Sequence, residues 1–154
     1  MSEKLYLDDL VVGQKFKSRE YPLDAQQIMA YAREFDPQPF HTDPEQAKDT
    51  FFQGLAASGW HTASITMKLV VESLPMSAGV IGAGVEELSW PLPTRPGDVL
   101  HLESEVLEII PSRSKPDRAI VRIRCETRNQ NGDVVQSFIP KLLAFKRPAA
   151  SPAA

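Results

Sequence analysis

Cysteine is nearly absent from the chain: Cys125 is the only one in 154 residues. A lone thiol excludes an internal disulfide and fits a reducing compartment, so the expected location is the cytoplasm. Long apolar runs are missing as well. No stretch approaches the ~20 residues a membrane-spanning helix needs, and the opening MSEKLYLDDL has no signal-peptide core. Positive charge is not in excess: 17 Lys and Arg against 20 Asp and Glu give a net charge of −3. Nothing in that balance attracts nucleic acid, so neither nucleic acid nor a membrane is an expected partner. There is no glycine-rich phosphate loop and no G-x-S-x-G nucleophile elbow. The three histidines, His41, His61 and His101, include no pair one helical turn apart, so no metal is expected.

What is present is an ordinary globular composition, 42% hydrophobic and 24% charged, at a length that suits one domain. The expected domain runs over residues 1–146, and the tail RPAASPAA (147–154) is expected to be disordered. A weakly alternating stretch over 14–23 predicts a short strand. Asp24 then stands as an N-cap before AQQIMAYAREF, whose Ile28, Tyr31, Ala32 and Phe35 mark one helical face. The following EFDPQPFHTDPEQA holds Pro37 and Pro39 around Gln38, which predicts a stiff, non-helical excursion. Asp43-Pro44 reads as the next N-cap and first helical position.

From about Ser58 the segment SGWHTASITMKLVVESL predicts one long helix ending before Pro75. Trp60, Ile65, Leu69 and Val70 fall on one side of it. Only Lys68 and Glu72 are charged, so a helix buried on most sides is expected. The period then changes to two. Strands are expected over 85–93, 98–110, 118–129 and 133–146, with Asn131-Gly132 as a hairpin turn and Pro140 demanding an edge or a bulge. Helices first and then four strands without crossover helices make an α+β domain, an antiparallel sheet wrapped around one buried helix.

Two stretches could carry chemistry. Asp36 and His41, held on the proline-stiffened loop, are either a solvated turn or an acid–base pair able to handle a water. Gly59 either permits a tight turn or leaves N–H groups free at the positive end of the long helix, where a carbonyl oxygen could bind. Cys125 alternates with apolar strand positions and reads as an inert core thiol. Arg113 and Lys115, in SRSKPDR, could meet a phosphate or simply line a solvated connection.

YAREFDPQPFHTDPEQA resembles the hydratase signature of the MaoC-like dehydratase family, the (R)-specific enoyl-CoA hydratases. Tyr31, Asp36, Pro39, His41 and Ala47 fall at the matching places. ASGWHTAS is similar to the family segment in which a glycine opens the central helix and a serine follows five residues later, here Gly59 and Ser64. WPLPTRPGD (90–98) and SRSKPDR also look like family sequence, so the resemblance covers roughly residues 5 to 146. It implies a single hotdog domain, with a loop and helix segment overhanging before the central helix, and a homodimer or larger homo-oligomer. It also implies reversible addition of water to a 2-enoyl thioester, giving an (R)-3-hydroxyacyl thioester. Asp36 would be the base, His41 would position the water and shuttle a proton, and Ser64 would give indirect support. The Gly59 N–H would polarise the thioester carbonyl, with Trp60 nearby. Arg113 and Lys115 would face the CoA phosphates. CoA or a carrier protein would carry the substrate, and no separate cofactor is implied. Phe35 and Gln38 depart from the family's Gly and Asn, which makes them the expected determinants of substrate fit. Two other functions compete. A hotdog thioesterase would place a carboxylate on the central helix, where only Glu72 is available. A non-catalytic acyl-thioester-binding subunit would have no use for an intact Asp and His pair.

Overall fold

The computed structural model of the chain describes residues 3–149. A 3-10 turn (Leu7–Asp9) leads to two short strands, β1 (Lys15–Lys17) and β2 (Tyr21–Pro22), where one strand over 14–23 is expected from sequence. Both pair antiparallel with the later strand over Val99–Pro111, but in separate registers, so the stretch is broken between them. Three helices follow: α1 (Ala25–Phe35), α2 (Pro39–Thr42) and α3 (Pro44–Ala47). The central helix α4 spans Gly59–Ser73, and four strands complete the chain: β3 (Ile81–Ser89), β4 (Val99–Pro111), β5 (Arg118–Arg128) and β6 (Val134–Phe145).

Alternation sets the facing of the long strands. Val121, Ile123, Cys125 and Thr127 of β5 are buried, while Arg122, Arg124, Glu126 and Arg128 turn outward. Leu100, Leu102, Ser104 and Val106 do the same on β4. Those inward faces close on Ile65, Leu69 and Val70 of α4 and on Leu74 at its C-terminal end, with Ile28 of α1 completing the core. The sheet order is β1-β4-β5-β6-β3, all antiparallel, with β2 on β4. This is the hotdog arrangement, with α1 to α3 as the overhanging segment.

Pro140 lies in β6, between two neighbours, so it is not at an edge. Its partner across β3 is Val85, and the β3 register shifts on both sides of that pair, between Gly82 and Gly84 and between Glu86 and Ser89. The bulges thus fall on the strand that faces the proline. The β5–β6 turn forms at Gly132, whose φ of +79° is open to glycine, with Asn129 Oδ1 accepting from the N–H groups of Asn131 and Asp133.

Three expectations need correction. The proline loop is not wholly non-helical: Pro39 starts α2, and the Gln38 carbonyl accepts from the N–H groups of His41 and Thr42. A proline suits that first position because its missing N–H would have no helical partner anyway. Trp60 does not join Ile65, Leu69 and Val70; it is 58% exposed. With Met67 and Val71 it leaves one side of α4 open, so the helix is buried on one face only. Arg147, placed in the tail by sequence, is anchored: its N–H donates to Asp8 at 2.6 Å and its guanidinium pairs with Asp9. The remainder of the expected disordered tail, from residue 150 on, lies outside the described residues. Among the described residues, no helix is long and apolar enough to cross a membrane.

Candidate active site

Local chemistry delivers Asp36 and His41 to one place. Asp24 and Gln27 form a capping box that starts α1, and Asp36 is the residue on which that helix ends. Two residues later the Gln38 side-chain amide donates back to Asp36 Oδ1, and the Gln38 carbonyl launches the helical turn that carries His41. His41 is 5% exposed, packed edge-on against Phe40 with ring centres 4.6 Å apart. Its Nδ1 donates to the Ala56 carbonyl at 2.6 Å. The ring is thereby oriented so that Nε2 faces Asp36 Oδ2 at 3.4 Å. A water held by both groups can give a proton to the carboxylate.

The carboxyl of Asp36 is held below its usual pKa. Burial is the largest effect and pushes upward; the Ser58 hydroxyl, the Gln38 amide and His41 together outweigh it. Asp36 is therefore ionised near neutrality and able to accept a proton. Cys125 behaves as expected of a core thiol, fully buried and pushed up to about 11 by desolvation.

The helix end that could receive a carbonyl lies beside this pair. Ser58 is the N-cap of α4 but its side chain makes no capping bond. Among the described residues nothing accepts the N–H of Gly59. The glycine is also sterically required: a Cβ there would lie 2.7–2.9 Å from three ring atoms of Trp90. Trp90 is fixed in turn, its Nε1 donating to Gln136 at 2.8 Å, and Gln136 continues to Thr66 and Thr127 within the core. His41, Gly59, Phe51, Phe52, Trp90 and Leu92 all line one cavity of about 420 Å³. Asp36 is not on its wall and meets it through His41. A larger hollow of about 470 Å³ lies on the outer face of β1, β4 and β5, where Glu103 and Arg128 already pair with each other.

The other candidate residues are dispersed. Ser64 donates to the Trp60 carbonyl at 2.8 Å and meets the Tyr31 hydroxyl at 3.3 Å, so it braces α1 against α4. Trp60 meets the Trp90 ring edge-on at 5.4 Å. Phe35 is 65% exposed against Tyr31 and lies off the cavity wall. Arg113 and Lys115 sit in the β4–β5 connection, at the far end of the molecule from Gly59. That connection adjoins Leu7, and Leu5 binds the Pro75 carbonyl past the C-terminal end of α4. Within one chain they do not reach the site. Glu72 is committed to a two-pronged ion pair with Arg19 on the surface.

Sequence reasoning overlooked Arg95. Its guanidinium donates to the carbonyls of Phe52, Gly54 and Leu55, fastening the segment that ends at Ala56, the acceptor for His41. No local pattern marks a residue that acts on a backbone roughly 40 positions away. It also overlooked Trp90, whose contact with Gly59 joins two elements distant in sequence.

Comparison with known proteins places the fold in a family. Residues 9–127 match the family described as MaoC like domain. The uncharacterized protein YdeM of Bacillus subtilis is 34% identical over 125 residues, covering 80% of this chain and 87% of that protein. Among solved structures, a MaoC-like dehydratase from Rhodospirillum rubrum superposes with a TM-score of 0.92 at 57% identity, covering 94% of this chain and 99% of that one. R-hydratase PhaJ1 from Pseudomonas aeruginosa superposes at 0.77 with 26% identity, covering 98% and 96%. With its fold and these matches in agreement, the chain belongs to the MaoC-like family.

Proposed function

We infer that the protein is a hydratase and dehydratase of acyl thioesters, adding water reversibly across the double bond of a 2-enoyl-CoA to give an (R)-3-hydroxyacyl-CoA. The observation that carries this is the Asp36–His41 pair: an ionised carboxylate facing the imidazole Nε2 at 3.4 Å, next to an uncapped helix N-terminus. The water oxygen forms a bond to C3 while the C2–C3 π electrons move onto the thioester oxygen. The Gly59 N–H and the positive end of α4 stabilise that developing negative charge. His41 Nε2 holds the water, and the proton that Asp36 takes from it is relayed through His41 to C2, which returns both side chains to their starting state. Water adds as H and OH, with no other reactant. Positioned acid–base groups supply roughly 10²–10⁴-fold to such steps.

Two sides of the molecule support self-association. β3 is a sheet edge with Ile81 and Val85 exposed, and α4 presents Trp60, Met67 and Val71. An unpaired edge beside an apolar helix face suits a second copy of the same chain. The thioester can be presented by CoA or by a carrier protein in the cytoplasm, and the reaction itself needs no added cofactor.

The test is spectrophotometric: loss of the conjugated enoyl thioester across a panel of 2-enoyl-CoAs. Turnover is expected from the wild type, and a fall of 10²-fold or more from Asp36→Asn and from His41→Ala. Full activity in both variants would sink the assignment.

A further inference from the structure

The segment over 90–94, WPLPT, borders the cavity but takes no part in the proton transfers. Trp90 follows the end of β3, and its indole is seated from three sides. Three of its ring atoms would lie 2.7–2.9 Å from a Cβ at Gly59, so the ring occupies the space a side chain there would need. Trp60 meets it edge-on, with ring centres 5.4 Å apart. Its Nε1 donates to Gln136 Oε1 at 2.8 Å. At the far end of the segment the Thr94 carbonyl accepts from the Ala57 N–H at 2.8 Å, and the Thr62 hydroxyl donates to that of Thr94 at 3.1 Å. Pro91 and Pro93 stiffen the backbone between these anchors.

Gln136 is the unusual member of this arrangement. It has no exposed surface, and the other buried residues of β6 are apolar. A buried amide is costly unless both of its ends are bonded. An indole N–H can only donate, so Gln136 must turn its oxygen to Trp90 and its nitrogen to the core. That nitrogen donates to Thr66 Oγ1 at 3.1 Å. Thr66 sends its one proton to the Thr62 carbonyl at 2.8 Å and meets the Thr127 hydroxyl at 2.6 Å. Its hydroxyl thus makes one donor and two acceptor bonds, which is its full capacity. A buried chain satisfied at every link is rigid. It ends on the Trp90 indole, 40% exposed on the cavity that also holds Gly59 and His41. An apolar side chain of similar volume at 136 would serve stability alone at least as well.

We propose that Trp90 is a specificity-determining residue and Gln136 its positioning residue. The buried amide fixes the indole as a rigid wall beside Gly59, so the site takes acyl thioesters that carry no side group at C2. An oxygen accepting from the Gly59 N–H stands about 2.9 Å from that nitrogen. The carbonyl carbon and its two substituents, sulfur and C2, are then the substrate atoms nearest the ring. A methyl branch on C2 widens the substrate where the wall cannot retreat, because Gln136, Gly59 and Trp60 hold it. This role rests on Gly59 receiving the thioester carbonyl, as in the hydration inferred for the site.

The experiment compares kcat/KM for 2-butenoyl-CoA with kcat/KM for 2-methyl-2-butenoyl-CoA, in the full chain and its variants. The intrinsic reactivity of the two alkenes is the same throughout and cancels when their ratio is compared between variants. Trp90→Leu is expected to lower the preference for the unbranched substrate roughly tenfold or more, the scale on which a pocket reads one carbon. Gln136→Met keeps the volume but frees the indole, and is expected to lower the preference in the same direction. Added to Trp90→Leu, it is expected to change the ratio no further, since the two act as one unit. An unchanged ratio in Trp90→Leu overturns the proposal. Equal losses on both substrates in Gln136→Met mark that residue as merely structural and overturn its positioning role. Calorimetry of the wild type with butanoyl-CoA and 2-methylbutanoyl-CoA, saturated and unreactive, decides the matter if a variant fails to fold. Tighter binding of the unbranched thioester is expected, and equal affinity overturns the wall. If the wild type hydrates no enoyl thioester, the functional assignment fails, while this difference in affinity still tests Trp90.

Discussion

Individual residues in this site are tuned by opposing effects, and the pH dependence follows from them. Asp36 has a folded pKa below its unfolded one, so its ionised form contributes stability above the unfolded carboxyl value of ~3.9. That contribution is lost as pH falls through the folded pKa. His61 works in a different range. It is buried on α4, stacked on Tyr31 with ring centres 4.5 Å apart and 5° between planes, and its Nδ1 has no partner. Burial lowers its pKa. Unfolding below about pH 6.5 then takes up a proton that the folded ring resists, so stability declines as pH drops from that value toward the folded pKa. A cation there would also face the positive end of α4. His61→Phe keeps the stacking and removes the titration, so urea unfolding across mildly acidic pH is expected to show a flatter slope for the variant. Gly59 is held by space alone. Gly59→Ala forces the Trp90 ring off its seat and away from Gln136, with an expected loss of roughly 1–3 kcal/mol of stability, the range of an overpacked contact. Altered tryptophan emission and reduced hydratase activity would accompany it.

Secondary-structure elements differ in how plainly the sequence announced them. α1 was legible because its start is chemical: Asp24 and Gln27 exchange hydrogen bonds with each other's backbone N–H. Removing that box with Asp24→Ala is expected to cost about 1 kcal/mol, measurable in thermal unfolding. β5 was legible through strict alternation, and the acid–base loop through its prolines and family spacing. The short helix carrying His41 was not, because two prolines masked a single turn held by one carbonyl, that of Gln38. Trp60 escapes the apolar pattern because large residues on an open face are as apolar as buried ones. Arg95 escaped because its partners are backbone carbonyls of a distant loop, a relation that no local period records. Its importance is open to direct measurement. Arg95→Ala frees the Phe52–Leu55 backbone and loosens the Ala56 carbonyl that orients His41, so a fall in kcat larger than any change in KM is expected.

The whole molecule places a polar site at the head of a helix whose other face, toward the sheet, is core. That arrangement leaves β3 and one side of α4 open, carrying Val85, Met67 and Val71 outward. Sedimentation at micromolar concentration is expected to give a dimer or larger assembly, and a Met67→Glu, Val71→Glu double variant a folded smaller species. A wild-type monomer would contradict that expectation. The function rests on a different property, which is whether water is added to carbon or used to cleave the thioester. Both outcomes consume water, and the bound Glu72–Arg19 pair leaves Asp36 as the base favoured by geometry. The most direct measurement is the product formed from a 2-enoyl-CoA in oxygen-18 water, compared for wild type and Asp36→Asn. The expected result is one heavy oxygen on C3 of an intact (R)-3-hydroxyacyl-CoA, absent with the variant. Free thiol with the heavy oxygen in a carboxylate would contradict it.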